Sequence, residues 1–388
     1  MIGAWQRIVE RIQNRTNRSR LMRWSLRIAA MIALLSIGGL LVSASGVIPI
    51  TASSGHSPMT RWFLEFSKQR SVATHSIGLK APRLDEPRLI LQGATHYEVG
   101  CRSCHGSPEH FPPKIAQAME PAPPHLSRTV SKWSPEELFY IVKHGIKFTG
   151  MPAWPSQERD DEVWAMVAFL QTLPEMDAEH YRQLVHGETR QNIQLVVPTN
   201  WEGASTAVIE SCTACHGSDG LGREDAFPKL AGQRPEYLAA SLEAFARGQR
   251  HSGTMEPIAA GLNSKQMNEF ARYYASLKLP ATPYGGSTQA IERGQAIARR
   301  GIPSQDVPAC AACHGPSDVL RNPNYPLLAG QPTDYLILQL TLFKQAQRGG
   351  TAYGHLMRPV AAGLSAEQMR DVALYYAALN PNGASQED

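Results

Sequence analysis

The chain of 388 residues has no cysteine outside three short motifs. It has no sustained apolar–polar alternation, so no segment reads as a β-strand. No βαβ pattern flanks the cysteine pairs, which removes the usual setting of a redox dithiol. Carboxylate pairs suited to acid–base catalysis, glycine-rich phosphate loops and Ser/His/Asp sets do not stand out. Glu136-Glu137 and Asp160-Asp161 read as charges at helix starts.

Basic charge is scarce once its location is considered. The whole chain carries 38 basic and 34 acidic residues, a formal net of +4. Residues 1–27 hold seven of the arginines (Arg7, Arg11, Arg15, Arg18, Arg20, Arg23 and Arg27), no lysine and a single acid, Glu10. Residues 28–388 therefore carry 31 basic and 33 acidic residues, a net of −2. The surplus belongs to a membrane flank, and a nucleic-acid-binding reading fails. The flank precedes an uncharged run, 28–50, long enough to span the hydrocarbon core as one helix. The arginines place the N-terminus in the cytoplasm. A cleaved signal peptide is the competing reading, with Val42-Ser43-Ala44 as the small-residue site.

What the chain does have is Cys-x-x-Cys-His, three times. The copies are Cys101 to His105, Cys212 to His216 and Cys310 to His314, and together they use all six cysteines. Each suits covalent attachment of one haem through two thioethers, with the adjacent His105, His216 or His314 as proximal iron ligand. Zinc would need four ligands brought together, and three pairs about a hundred residues apart do not supply tidy sets. Disulfides would leave the repeated histidine unexplained.

The organisation follows from these motifs. A basic tail (1–27), an apolar span (28–50) and a polar spacer (51–92, with a short helix near 61–68) precede the first motif segment, 93–173. A connector, 174–202, leads to the second segment, 203–279, and a shorter one, 280–287, to the third, 288–380. The last two segments repeat each other. Pro228 to Gln233 matches Pro326 to Gln331, Tyr237 matches Tyr335, and Met255 to Leu262 matches Met357 to Leu364. Tyr273-Tyr274-Ala275 matches Tyr375-Tyr376-Ala377, and four residues are inserted before Met357. The expected fold is all-α. Short helices precede the motifs, middle helices cover 235–248 and 333–347, and closing helices start at Asp160 or Asp161 and at the N-caps Ser264 and Ser365.

A second axial ligand separates a carrier from an enzyme with an open iron. Met151 lies in the turn Thr149-Gly150-Met151-Pro152, and Met255 and Met357 are expected in loops two residues before a proline. Met119, His144, His251 and His355 are the rivals. Met166, Met267 and Met369 read as core. The carbonyls of Pro124, Pro228 and Pro326 are candidate partners for the second ring nitrogen of the proximal histidines, with loop shaping as their simpler role.

On these residues all three segments resemble class I cytochromes c, and 203–380 resembles diheme cytochromes of the c-four type. The resemblance rests on Cys-x-x-Cys-His-Gly, the Pro-x-Leu-Ala-Gly-Gln loop, the methionines and the Tyr-Tyr-Ala helix; 93–173 adds its Gly-Met-Pro-Ala-Trp turn. It implies three haem c groups, His/Met axial ligation and one-electron transfer in the bacterial periplasm, from the inner membrane. The expected partners are redox proteins: a cytochrome bc complex, a terminal oxidase or a periplasmic dehydrogenase. The alternative is a haem peroxidase or small-molecule reductase with one open iron.

Overall fold

The structure, a computed structural model, describes residues 2–187, 212–280, 287–316 and 322–381, with residues 2–19 described by backbone alone. The described residues are helical or irregular. They contain no strand, only an isolated bridge between Ile302 and Val307. The chain divides into two units, Met1–Thr60 and Arg61–Asp388.

The first unit is dominated by the helix Ile2–Ala44. Its stretch Arg20–Ala44 is 25 residues long and holds an 18-residue window with a mean hydropathy of 2.1, none of it buried by protein. The helix stops at Ala44, six residues short of the expected limit of the apolar run, and Gly46 follows with φ +66°.

The second unit carries all three motifs. In the first segment the helix Pro87–Gly100 crosses Asp160–Thr172. Gly93 makes the crossing close: a Cβ there would lie 2.2 Å from the Ala165 carbonyl oxygen. The third segment repeats this with Thr288–Arg300 across Ala366–Ala378, where a Cβ on Gly294 would lie 2.0 Å from the Asp371 oxygen. The middle helices are Pro235–Ala246 and Thr333–Lys344. Met166, Met267 and Met369 are buried, as their helical positions require.

Several elements differ from expectation. The spacer 51–92 contains an 18-residue helix, Pro58–His75, and the start of Pro87–Gly100. The start of the 174–202 connector is built into the first core: Ala178–His186 packs on Pro87–Gly100 and buries Tyr181 and Val185. Its apolar face was hidden by the short length of the helix and its many polar residues. The closing helix Ser264–Ser276 is capped by Asn263 rather than Ser264, because Asn263 and Gln266 form a reciprocal capping box. Ser365 caps its helix as expected, and Asp160 starts the other. Residues 188–202 of the connector, 203–211 before the second motif, and 281–286 lie outside the described residues.

Candidate haem sites

Each motif forms one helical turn. The backbone N–H of His105 donates to the Cys101 carbonyl at 2.9 Å, and that of His314 to Cys310 at 2.9 Å. Residues 212–216 are helical as well. A turn of this kind places the two sulfurs and the imidazole three and four residues apart on one side. A glycine with positive φ ends each turn: Gly106 (+72°), Gly217 (+77°) and Gly315 (+82°). A Cβ on Gly106 would meet the His110 carbonyl oxygen at 2.5 Å, so the chain reversal needs glycine there.

The proline carbonyls settle the imidazoles. His105 Nδ1 lies 2.9 Å from the Pro124 oxygen, His216 Nδ1 3.1 Å from that of Pro228, and His314 Nδ1 2.9 Å from that of Pro326. A carbonyl can only accept, so Nδ1 carries the proton and Nε2 keeps its lone pair for a metal. Burial pushes His105 and His216 below the usual imidazole range while the carbonyl opposes it, which favours the neutral, ligating form. Burial, with the paired sulfur adding to it, pushes the Cys101 and Cys212 thiols up to about 12, and burial pushes Cys310 up to about 11. Such thiols do not suit a thiolate redox pair.

A cavity of about 380 Å³ is lined by the second and third motifs together with Met255 and Met357. One water needs only about 10–15 Å³ by this kind of measure, so the space suits far larger groups. Met151 sits in an irregular turn, its N–H accepted by Thr149 Oγ1 at 3.1 Å. Met255 and Met357 are not in loops as expected. Met255 opens the helix Met255–Ala260, and Met357 lies within Gly354–Gly363, which contains Pro359. Pro257 is the third residue of its helix, where the first amides have no intrahelical partner, whereas Pro359 is the sixth residue of its ten-residue helix and lies inside it. Among the rivals, Met119 lies beside the Met151 turn, with its sulfur 3.3 Å from where a Gly150 Cβ would stand. His144 lies against Tyr140 with the two rings tilted by 50°, and His355 is exposed with Nδ1 3.1 Å from the Ala352 carbonyl. The His251 carbonyl accepts from Arg159.

The donor set fits a bulky ligand that brings its own anions. Arg250 and Arg348 line the cavity, each packed over a phenylalanine (Phe245 and Phe343) at 4.5 Å. Their recorded partners are phenols. Arg348 donates to Tyr237 at 2.9 Å, and Arg250 lies 3.4–3.5 Å from the Tyr335 and Tyr237 hydroxyls. Among the described residues no carboxylate pairs with either arginine. Burial pushes the Tyr237 phenol up, but the two guanidinium groups outweigh it and bring it down to about 7. One buried and one half-buried cation facing a cavity call for negative charge, and haem carries two propionates.

Two family models match the chain: that of the cbb3-type cytochrome c oxidase subunit III over residues 88–170, and that of cytochrome c over 202–278. A thiosulfate dehydrogenase electron acceptor from Thiomonas intermedia is 37% identical over 183 residues, covering 47% of this chain and 83% of that one. A cytochrome c4 from Thiocapsa roseopersicina is 35% identical over 171 residues, covering 44% and 87%. The crystal structure of reduced cytochrome c4 from Pseudomonas stutzeri aligns at 30% identity, covers 46% of this chain and all of that one, and gives a TM-score of 0.42. The chain belongs to the class I cytochrome c family.

As a class I cytochrome c it is an electron carrier with covalently bound haem c. The cytochrome fold here contains supports that the motifs did not announce. A tyrosine hydroxyl donates to the carbonyl of the glycine after each histidine: Tyr97 to Gly106 at 2.8 Å, Tyr274 to Gly217 at 3.3 Å and Tyr376 to Gly315 at 2.9 Å. The repeated Tyr-Tyr-Ala marks two of these. Tyr97 reaches the same place from the opening helix instead, and no repeat signals it. Arg250 and Arg348 were visible only as a Gln-Arg pair recurring at the spacing of the Pro-x-Leu-Ala-Gly-Gln loops.

Proposed function

We propose that the protein is a membrane-tethered triheme cytochrome of the bacterial periplasm, passing electrons singly between redox proteins. The observation that carries the reading is the threefold imidazole arrangement: each proximal histidine, beside its cysteine pair, is held through Nδ1 by a proline carbonyl, the tautomer that puts the ring's lone pair on Nε2. In this reading Cys101, Cys104, Cys212, Cys215, Cys310 and Cys313 carry three haems in three domains. His105, His216 and His314 are proximal ligands, and Met151, Met255 and Met357 are the opposite ones. Haem c supplies the one-electron ferric–ferrous couple. The chain's own residues fix the imidazole planes, shield the irons from water and set the local field.

The relatives support the choice of partner. Two of them, from Thiomonas intermedia and Stutzerimonas stutzeri, are electron acceptors of thiosulfate dehydrogenase. A periplasmic dehydrogenase is accordingly the proposed donor, and the N-terminal helix keeps the carrier at the membrane, within reach of membrane-bound acceptors.

Haem content per polypeptide and a redox titration resolved by haem test the reading. Three haems per chain, all low-spin, with methionine-to-iron charge-transfer absorption and no carbon monoxide uptake when reduced, are expected. Two haems per chain would remove the third site, and a high-spin or carbon monoxide-binding iron would overturn the carrier assignment for its domain. Met357→His should lower the potential of one centre, because imidazole replaces a thioether.

A further inference from the structure

The segment 251–255, which ends in Met255, is gripped by the first motif segment at several successive residues. The Arg159 guanidinium donates to the His251 carbonyl at 2.8 Å. The Ser252 hydroxyl donates to Glu162 Oε1 at 2.7 Å, and the Gly253 N–H to Glu162 Oε2 at 2.6 Å. Thr254 Oγ1 lies 2.9 Å from His96 Nδ1. The Met255 N–H donates to the same Ser252 oxygen at 3.0 Å. Above Gly253 lies the indole of Trp154. A Cβ on Gly253 would stand 2.0 Å from Trp154 Nε1, so only glycine admits this approach. Trp154 Nε1 also points at Glu162, 3.3 Å away, and Arg159 pairs with Glu162 at 2.9 Å.

These residues are well shielded. Trp154 is 6% exposed, Arg159 8% and Ser252 4%. Buried, charge-assisted hydrogen bonds to backbone amides hold geometry more firmly than neutral exposed ones. The repeat provides an internal contrast. Around Met357, the flanking His355, Leu356, Arg358 and Pro359 are exposed, and among the described residues no side chain of the first segment is recorded on them. The duplicated pair thus differs at one methionine, and the difference is made by the segment fused in front.

We propose that Glu162, Trp154 and Arg159 are positioning residues for the second iron site: they hold the Met255 backbone so that its thioether stays on the metal. This rests on the reading of Met255 as an axial ligand. A thioether is a weak donor, so its occupancy depends on how little freedom its segment has when detached. Release of the grip lets the methionine leave, which lowers the potential and opens that iron to small ligands.

The test uses the full haem-loaded chain with Glu162→Ala, Ser252→Ala and the conservative Glu162→Gln, whose amide oxygen still accepts from Gly253. Three readouts apply: the haem-resolved potentials, the methionine charge-transfer absorption of the oxidised protein, and carbon monoxide binding by the reduced one. Glu162→Ala should lower one potential, remove the share of the absorption that belongs to one iron and admit carbon monoxide there. Ser252→Ala should move the same centre in the same direction by less, and Glu162→Gln should restore most of the native behaviour. Unchanged spectra in both alanine variants, or equal shifts of all centres, would overturn the proposal. Met255→Ala separates the two levels: if it leaves the absorption intact, the ligand assignment itself fails; if it removes one iron's share while the Glu162 and Ser252 variants do nothing, only the grip fails.

Discussion

Gln331 and Lys229 exchange two hydrogen bonds, one from the Lys229 N–H to Gln331 Oε1 at 3.1 Å and one from Gln331 Nε2 to the Lys229 carbonyl at 2.7 Å. Gln233 makes the same exchange with Leu327 at 2.9 Å in both directions. Lys229 and Leu327 each follow the proline whose carbonyl holds a proximal histidine. The two repeats therefore dock through the loops that orient their imidazoles, and the glutamine closing each Pro-x-Leu-Ala-Gly-Gln reaches across to the neighbouring repeat, Gln233 also accepting from the Arg234 N–H of its own at 3.0 Å.

Gln331→Ala should strip both partners from Lys229 and destabilise the docked pair by about 1–3 kcal/mol, the usual cost of leaving buried polar groups unpaired. Gln233→Ala should cost a similar amount, since its contacts are the mirror of the first. Denaturant titration of the haem-loaded protein reads both. If either variant keeps the native midpoint, the exchange contributes nothing to docking.

Helix crossings give a second prediction. A methyl group at Gly294 would collide with the Asp371 backbone 2.0 Å away, and backbone cannot swing aside as a side chain can. Gly294→Ala should destabilise by about 1–3 kcal/mol or more, the range for overpacking. Gly261→Ala is the control, because its nearest neighbour is 3.5 Å away and its φ of −79° suits any residue. Thermal or denaturant unfolding that ranks the two variants equally would remove the crossing from the list of stabilising features.

Local chemistry was legible in the sequence and distant contact was not. Cys-x-x-Cys-His is complete within five residues, so the motif announces itself, and the prolines that serve the histidines lie only 12 to 19 residues on. The helical setting of Met255 and Met357 was not legible, because proline and glycine nearby read as turn signals; Pro257 falls in the first turn of its helix, where proline is tolerated, and Pro359 falls inside its helix, which nothing in the sequence announces. Ala178–His186 was missed for a related reason: its two buried anchors, Tyr181 and Val185, are too few to stand out as a period. Nothing in the sequence joins Glu162 to Gly253 across 91 positions. Each looks ordinary alone: an acid in the first turn of a helix, a glycine in a loop.

His96 offers a pH test. Burial pushes this imidazole down to about 4, with its ring against Trp154 and Nδ1 near Thr254. A folded-state pKa below the unfolded value of about 6.5 means that the unfolded chain binds the proton more readily between those values. Its contribution is therefore whole above pH 6.5 and is lost as pH falls towards 4. The loss should amount to about 1–3 kcal/mol. His96→Gln should flatten that part of the stability profile relative to the parent chain. An equally steep fall in the variant would assign the acid sensitivity to other groups.

The N-terminal helix decides whether the carrier diffuses. The helical stretch Arg20–Ala44 is about 37 Å long at 1.5 Å per residue, of which the uncharged part, 28–44, makes about 25 Å, against a hydrocarbon core of about 30 Å; the uncharged run continues beyond the helix to Ile50. A signal-peptide core needs only about 7–15 apolar residues. Leu34, Leu35 and Leu40 are about 70% exposed with no protein surface over them, which is costly in water and favourable in lipid. Arg20, Arg23 and Arg27 at the start of that stretch, with the four arginines before it, would hold that end on the cytoplasmic side of a retained anchor. The mature protein should therefore retain Arg7 to Arg27, resist alkaline extraction from membranes, and become soluble when residues 1–46 are replaced by a cleavable export signal. The mass of the purified mature chain checks this directly: a chain beginning at Ser45, just after Val42-Ser43-Ala44, would make the segment a signal peptide and the carrier a freely diffusing one.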